Sequence, residues 1–282
     1  MKEVFVVILA ILVYSNAAFA ATGVLIVPDK ILQGEPMRAT TENAPFLKEV
    51  IFDGKSIPVF FYNGKMRAFV GIDLMKKPGN YELKATLTSG AVLKKTITVL
   101  GRKKPVVEQV AIPEKMGGNT TSGQKNLVSS ISKGDTDIKK VITEIRSTWT
   151  ARKFIPPLAL MAVTNPYGYG VDTGAYVIPH KGTDLKAKFG TEVFAMNRGV
   201  VKLAREYQAY GKTILIDHGL GLQTLYLHLS KMNVKEGDIV ERGKIIALSG
   251  DTGYITGPHL HLSIRIGGTS IDPMKFLALF GL

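Results

Sequence analysis

Cysteine is absent from the 282 residues of this chain, and tryptophan occurs only once. Without cysteine no disulfide can form, so the folded chain must be stabilised by a hydrophobic core or by a bound metal ion. The same absence excludes thiolate ligands, and any zinc site would have to use histidine, aspartate or glutamate. Histidine is itself scarce, with five residues in the whole chain.

Long apolar runs are confined to the start of the chain. Lys2 precedes the unbroken apolar run Val4–Val13, and Ala18-Phe19-Ala20 has the small-x-small pattern of a signal peptidase site. The alternative is an uncleaved membrane anchor, but this run is shorter than the about 20 residues that span a bilayer. We therefore expect residues 1–20 to be a signal peptide cleaved near Ala20, and the secreted or periplasmic protein to keep no stable membrane span.

Acidic side chains are outnumbered by basic ones, 23 against 36, so the formal net charge is +13. A diffuse positive charge favours contact with polyanions. For an exported protein these are the cell wall and acidic envelope glycans, and we expect no nucleic acid partner. Simple solubility explains the charge equally well.

Residues 21–100 have the pattern of a small all-β domain. Six runs rich in β-branched and aromatic residues alternate with turns that contain Gly, Asn or Asp. These runs are Val24–Val27, Glu49–Phe52, Ile57–Tyr62, Arg67–Ile72, Tyr81–Thr88 and Val92–Leu100. Six strands at regular spacing favour an immunoglobulin-like sandwich. Histidine is missing from this part of the chain, so we expect no catalytic constellation here.

Residues 101–155 predict a linker with one short helix. The first part, 101–124, has no periodicity and collects Lys, Pro, Gly, Asn and Thr. Within 136–148, apolar residues recur at helical spacing at Ile138, Val141, Ile142 and Ile145. One short helix is therefore expected between the domains.

Residues 156–282 return to a β pattern and predict a second domain. Tight connections that contain glycine separate most of its strands, and only Pro273–Leu279 has a helical pattern. The predicted strands are Glu192–Asn197, Gly199–Ala204, Thr213–Asp217, Gln223–His228, Ile245–Ser249 and His259–Ile266.

All five histidines lie in this second domain, which is the clustering that a metal site would produce. They are His180, His218, His228, His259 and His261. In a strand, the side chains of His259 and His261 point to the same face because side chains alternate. Two neighbouring imidazoles can reach one ion or one substrate, although a pair of surface histidines at a strand start gives the same pattern.

A histidine and a carboxylate also stand four residues apart, at His180 and Asp184, with Gly182 between them. The segment can bend so that both side chains reach one cation, and a nitrogen and a carboxylate oxygen suit zinc in a site without sulfur. This spacing alone is weak, since it is common by chance. His228 is placed at the end of a predicted strand, among alternating apolar residues.

Taken together and in order, these motifs resemble the lysostaphin-type (LytM-like) zinc metallopeptidases, in particular their periplasmic two-domain members. The resemblance covers roughly residues 156–279. It is carried by His180-x-x-x-Asp184, Asp217-His218-Gly219-x-Gly221, Tyr226-x-His228-Leu229, Val240-x-x-Gly243-x-x-Ile246, Gly250-x-x-Gly253 and His259-x-His261.

The resemblance implies that Zn²⁺ is bound by His180, Asp184 and His261. It implies that His228 and His259 act on water and substrate as the catalytic pair, with the role of each left open. It further implies a mainly antiparallel β peptidase domain (lysostaphin-like, duplicated hybrid motif) with the site in a groove across the sheet.

Two other residues of the motifs have less direct roles. For His218 we expect a structural role, because its position alone does not connect it to zinc. Tyr226 could face the groove with His228, but core packing is the expected arrangement.

The function that follows from the resemblance is hydrolysis of peptide cross-links in peptidoglycan. Two alternatives belong to other classes: a catalytically inactive cell-wall-binding activator of an amidase, and a cell-wall binding module. The activators usually lack one or more ligands, whereas all five matching positions are present here. A further hypothesis from the resemblance is that residues 24–150 restrain the groove until substrate displaces them.

Overall fold

The computed structural model describes residues 24–42, 46–103, 108–109, 112–141, 153–172 and 177–282. The predicted signal peptide, residues 1–20, lies outside the described residues, as do residues 142–148 of the predicted linker helix. Within the described part of the chain, no helix combines the length and the apolar character needed to cross a bilayer.

The first domain contains nine strands in two sheets. Their bounds are β1 Val24–Ile26, β2 Lys30–Leu32, β3 Pro36–Glu42, β4 Leu47–Phe52, β5 Lys55–Ile57, β6 Val59–Tyr62, β7 Lys65–Gly71, β8 Gly79–Leu87 and β9 Val92–Leu100. One sheet has the order β1-β3-β7-β6 and the other β2-β9-β8-β4-β5. All neighbours are antiparallel except β2 and β9.

A common core lies between these two sheets. Val50, Leu83 and Ile97 are fully buried in it, in strands whose other residues alternate outward. The prediction missed β2 and β3, and its run Ile57–Tyr62 covers β6 with only the last residue of β5. β3 escaped prediction because it begins at Pro36 and is rich in polar residues. The two-layer arrangement agrees with a β-sandwich, and the immunoglobulin-like topology stays a prediction.

The connection between the domains contains a much longer helix than the sequence predicted. After the short strand β10 (Glu108–Gln109) and a 3₁₀ turn (Glu114–Met116), helix α1 spans Thr121–Val141. The prediction began the helix at residue 136 and placed residues 121–135 in the linker ahead of it, so it was wrong for the first 15 residues of α1. The buried residues of α1 are few and widely spaced, and two of them are glycines: Gly123, Leu127, Gly134 and Ile138. Glycines oppose a helix by propensity, so α1 depends on packing against the second domain.

The second domain is a large antiparallel sheet with one short helix. The strands are β11 Val163–Asn165, β12 Gly170–Asp172, β13 Val177–Pro179, β14 Thr183–Lys186, β15 Glu192–Phe194, β16 Gly199–Tyr207, β17 Gly211–Asp217, β18 Leu222–Met232, β19 Ile239–Val240, β20 Ile245–Ser249, β21 His259–Ile266 and β22 Thr269–Ile271, and the helix is α2 Pro273–Ala278. The mainly β, antiparallel class is confirmed. The bounds of β20 and β21 coincide with the predicted strands.

Ten of these strands form one sheet with the central order β11-β14-β21-β18-β17-β16-β19. β12 and β13 instead join β10 in a small separate sheet. Strands β14, β21 and β18 are direct neighbours, and their register places Asp184 opposite His261 and His261 opposite Leu227. Residues far apart in the chain are thereby brought to one place.

The two domains pack against each other through an aromatic cluster and an ion pair. The rings of Phe69 and Phe276 have centroids 5.9 Å apart, and Phe280 lies 5.6 Å from Phe69. Arg102 Nη2 lies 3.2 Å from Asp272 Oδ2, the residue that caps α2. The sandwich is therefore seated on the C-terminal end of the second domain.

Candidate metal centre

Three donor atoms meet at the junction of β14 and β21. His261 Nδ1 lies 2.8 Å from Asp184 Oδ1, His180 Nε2 lies 3.2 Å from the same oxygen, and the two nitrogens are 3.1 Å apart. A tetrahedral zinc ion with ligand bonds of about 2.0–2.1 Å places its donors about 3.4 Å from one another. The three donor–donor distances here are slightly shorter than this value. Two imidazole nitrogens and one carboxylate oxygen form a donor set that suits a metal ion. These three residues could hold a metal ion.

The outer hydrogen bonds of this triangle fix which atoms face its centre. His180 Nδ1 lies 3.0 Å from the carbonyl oxygen of Pro166 and must donate to it, so Nε2 is left with its lone pair. Asn165 Nδ2 donates to Asp184 Oδ2 at 3.3 Å, which orients Oδ1 inward. Such partners are what a metal ligand needs to hold its orientation. The sequence reasoning missed Asn165 and Pro166, because neither belongs to a motif.

Gly182 lets the His261 ring approach the backbone. A β-carbon at this position would lie 2.2 Å from His261 Nε2 and 2.7 Å from the carbonyl oxygen of Leu262. Real β-carbon contacts are never this short, so only glycine fits between His180 and Asp184. The sequence pattern indicated a bend at Gly182, and the structure shows that a glycine is also needed there to make room for the His261 ring.

The other two predicted site histidines lie beside the triangle. His259 Nε2 is 3.6 Å from Asp184 Oδ1, and the ring centroids of His228 and His259 are 5.0 Å apart. Each of the two rings uses Nδ1 on a backbone carbonyl, His228 on Thr252 and His259 on Gly257, both at 2.9 Å. Because a carbonyl only accepts, both rings carry their proton on Nδ1 and keep Nε2 as the acceptor.

The position of His228 depends on an irregularity of its strand. The register between β17 and β18 shifts after Tyr226, and His228 has a left-handed backbone with φ of 62°. Side chains of a regular strand alternate, which would place His228 on the same face as Tyr226. The bulge turns its ring toward His259 instead, as bulges near active sites do. His228 thus lies within β18, which continues to Met232, and the prediction that it ends a strand was wrong.

Burial controls the ionisation of these groups. Burial raises the pKa of Asp184, but the adjacent rings of His180 and His261 outweigh this effect and hold the pKa well below the usual range. Burial lowers the pKa of His228 to about 3, and the adjacent rings of His259 and His261 add to the effect. Burial likewise lowers the pKa of His261. The low pKa keeps the Asp184 carboxylate ionised, and the lowered pKa values of His228 and His261 favour the neutral form of both rings. An ionised carboxylate and a neutral imidazole are the forms that bind metal.

The fifth histidine, His218, lies elsewhere. Its Nδ1 donates to the carbonyl oxygen of Arg198 at 2.8 Å, and its Nε2 lies 2.8 Å from Thr224 Oγ1. Burial lowers the pKa of this ring to about 4. Tyr226 is fully buried on the same side, where its hydroxyl accepts from the Met196 amide. The structure does not bring His218 or Tyr226 to the triangle.

Helix α1 forms one wall of the cavity that contains the site. The cavity has a volume of about 260 Å³ and is lined by the four clustered histidines and by Leu127, Ile131, Asp135 and Ile138 of α1. This volume is slightly below the about 300–1,000 Å³ that is usual for ligand pockets. The helix packs closely, since a β-carbon at Gly134 would lie 2.5 Å from the Tyr210 ring. The hypothesis from the resemblance was that residues 24–150 restrain the groove, and it did not single out α1 as the wall of the cavity.

The model of peptidase family M23 matches residues 178–273, the segment that contains all five histidines. The chain contains a peptidase family M23 domain. Among solved structures, a putative M23 peptidase from Pseudomonas aeruginosa is 26% identical with a TM-score of 0.53, and the alignment covers 81% of this chain and 86% of that one. The similarity to that structure therefore extends beyond the M23 domain.

Two curated relatives match between a third and a half of the chain. The peptidoglycan DD-endopeptidase ShyA of Vibrio cholerae is 46% identical over 99 residues, which are 35% of this chain and 23% of that protein. The DD-carboxypeptidase/endopeptidase Mpg of Neisseria meningitidis is 37% identical over 122 residues, 43% of this chain and 28% of that protein. The chain thus aligns with about a quarter of the length of these relatives.

Proposed function

We propose that this chain is a zinc-dependent endopeptidase that hydrolyses peptide cross-links of peptidoglycan. The observation that carries the proposal is the convergence of His180, Asp184 and His261, whose donor atoms all lie within 4.8 Å of one another. Two further imidazoles adjoin them, so groups suited to metal binding and to proton transfer share one cavity.

The donor set fits zinc without sulfur ligands. His180 Nε2, Asp184 Oδ1 and His261 Nδ1 would hold the ion, and three protein ligands are the number found in catalytic zinc sites. The chemistry that zinc supplies in such a site is Lewis acidity toward a peptide carbonyl and toward water. The orientation of the ligands is provided by Asn165 and Pro166, as described above.

His228 and His259 are the groups that would move protons. Both keep Nε2 as an acceptor while Nδ1 is held by a backbone carbonyl. One imidazole can take a proton from the attacking water, and the other, once protonated, can donate a hydrogen bond to the developing oxyanion. Since the two rings are fixed through the backbone, neither needs to reorient for these steps.

The substrate class comes from the relatives. The names of the V. cholerae and N. meningitidis proteins describe DD-endopeptidase activity, in one case on peptidoglycan. We extend this to cleavage of D,D cross-links by the present chain, in the cell envelope, after removal of residues 1–20. The net charge of +13 suits a polyanionic wall.

The chief alternative is an inactive activator or a binding module. An inactive member would be expected to have lost a ligand or to present the histidines apart from one another. Here the three candidate ligands and both candidate proton-transfer histidines line the same cavity, which favours the enzyme.

The proposal is tested by incubating the mature protein with cross-linked murein peptides, with zinc and with a chelator. Zinc-dependent release of uncross-linked peptides, detected by mass spectrometry and abolished by the chelator, is expected. Tight pelleting with murein and no cleavage under either condition would support the binding module instead.

Because α1 lines the groove, the assay includes a variant that loosens it. Ile138 is 1% exposed and packs on Leu225 and Leu227 of β18. Ile138→Asp buries a charge in this contact, so α1 should detach and hydrolysis should increase about tenfold or more. Ser132→Asp adds the same charge on the exposed face of α1 and should leave the rate unchanged. Equal rates for both variants and the wild type would contradict restraint by α1.

A further inference from the structure

A single carboxylate of α1, that of Asp135, contacts the groove of the M23 domain. Asp135 Oδ1 accepts a hydrogen bond from the Tyr210 hydroxyl at 3.1 Å and one from Arg265 Nη2 at 3.2 Å. Its other oxygen, Oδ2, is 3.8 Å from Lys181 Nζ. One carboxylate is thus surrounded by two cations and a phenol.

These three donors belong to the sheet of the second domain and its loops, not to α1. Lys181 directly follows the candidate ligand His180, and Tyr210 lies in the turn between β16 and β17. Arg265 is on β21, four residues beyond His261 and on the same face of the strand. The site would therefore persist if α1 moved away.

Arg265 is the least solvated of the donors. The residue is 7% exposed, and its Nε is buried with no hydrogen-bond partner among the described residues. A buried guanidinium is costly unless a carboxylate faces it, and its planar fork can donate two parallel hydrogen bonds to one carboxylate. Asp135 engages only Nη2 of this fork. The arginine retains capacity for a better-aligned carboxylate than the one that α1 supplies.

The site lies at a distance that a peptide substrate can bridge. Arg265 is four positions after His261, which corresponds to about 13 Å along β21. Both residues line the same cavity. An extended peptide lying in the groove with its scissile bond at the histidines would present a residue a few positions away to Arg265.

We propose that Lys181, Tyr210 and Arg265 form a carboxylate-binding subsite for an acidic peptide substrate, and that Asp135 of α1 occupies it in the covered form of the groove. This inference rests on the proposed function, since it assumes that a peptide enters this groove. It adds a basis for substrate choice: peptides with a free carboxylate compete with Asp135, and their amidated forms do not.

The first test compares a cross-linked murein peptide with the same peptide after conversion of its carboxylates to carboxamides. The zinc-loaded wild type should prefer the carboxylate form in kcat/KM by about tenfold to a hundredfold. Arg265→Gln should remove most of this preference, chiefly through KM. Arg205→Gln removes an arginine that pairs with Glu236 on the surface and should keep it. Equal cleavage of both peptides by the wild type, or an equal loss on both in Arg265→Gln, would overturn the inference.

A second measurement does not depend on hydrolysis. The metal-free Asp135→Asn protein is titrated calorimetrically with each of the two peptides. It should bind the carboxylate form measurably and the carboxamide form at least about tenfold more weakly. Lys181 is exposed, so adding Lys181→Gln to this protein should weaken binding severalfold without affecting the fold. If titration shows carboxylate-selective binding but no peptide is hydrolysed, the proposed function fails and the subsite stands. Binding that ignores the carboxylate overturns the subsite whether or not hydrolysis occurs.

Discussion

The two faces of the central sheet contain buried histidines that differ in what their ring nitrogens contact. On the core face, both nitrogens of His218 are engaged by the protein, through Arg198 and Thr224. On the groove face, His180, His228 and His259 each give one nitrogen to a backbone carbonyl, which leaves the other as an acceptor beside the shared centre. His180 and His228 on the groove face are buried, as His218 is on the core face, so burial alone does not separate the two groups. The two groups differ in how many ring nitrogens form hydrogen bonds away from the shared centre: both in His218, and one in each groove-face histidine named here.

The largest expected effect comes from removing a candidate metal ligand on the groove face. His261→Ala deletes one of three donors and should abolish both zinc binding and hydrolysis, with a loss of at least about a thousandfold in kcat/KM. Metal content by plasma mass spectrometry and the murein peptide assay provide the two readouts. A variant that keeps a full equivalent of zinc would contradict the assignment of His261 as a ligand.

A neighbouring histidine of the same motif should separate metal from turnover. His259→Ala leaves the three donors in place, so zinc should stay bound while kcat falls by about 10²–10⁴-fold. The same two assays apply. If zinc is lost here as completely as in His261→Ala, the roles of the two residues have been exchanged.

A smaller effect is expected from the residue that orients the carboxylate. Asn165→Ala removes the amide that donates to Asp184 Oδ2 at 3.3 Å. Such outer partners usually change metal affinity by about 10–100-fold. Competition with a zinc chelator measures this change, and Thr164→Val, which alters only a hydrogen bond to the Asp184 backbone oxygen, is the matched control. Equal affinities in the two variants would remove Asn165 from the site.

The core-face histidine should affect stability and leave the metal alone. Burial lowers the pKa of His218 to about 4 from an ordinary value of 6.5, so between these pH values the unfolded chain binds a proton that the native one does not. The stabilisation is complete above about pH 6.5 and falls as the pH drops, by about 3 kcal/mol once the pH is below 4.

Urea unfolding at several pH values measures the loss, and the difference between the wild type and His218→Gln isolates it from other groups. Zinc affinity should be equal in the two proteins near pH 7.5. A pH dependence that survives the substitution unchanged would show that other groups cause it.

The strands β20 and β21 could be predicted from the sequence, since β21 alternates polar and apolar residues, β20 is a short apolar run, and a glycine follows each. The geometry of His228 could not, because nothing local marks a non-glycine residue with a left-handed backbone. The first 15 residues of helix α1 escaped prediction for a different reason. The buried positions of α1 include Gly123 and Gly134, which lower helix propensity, and Gly134 is needed because the Tyr210 ring packs against it. Asn165 contributes through pairing of β11 with β14, a contact that no spacing in the chain encodes.

The packing of the sandwich against the second domain limits which parts of the molecule can move. Phe69 packs against Phe276 and Phe280, Arg102 pairs with Asp272, and a β-carbon at Gly34 would collide with the Tyr167 ring. Swinging the whole sandwich aside would break all of these contacts at once. Displacing α1 alone would break only its contacts with the groove. Under the proposed function, a peptide substrate could therefore enter the groove if α1 alone moved while the two domains stayed in place. A ligand that holds α1 against the groove would then block entry without contacting the candidate metal site.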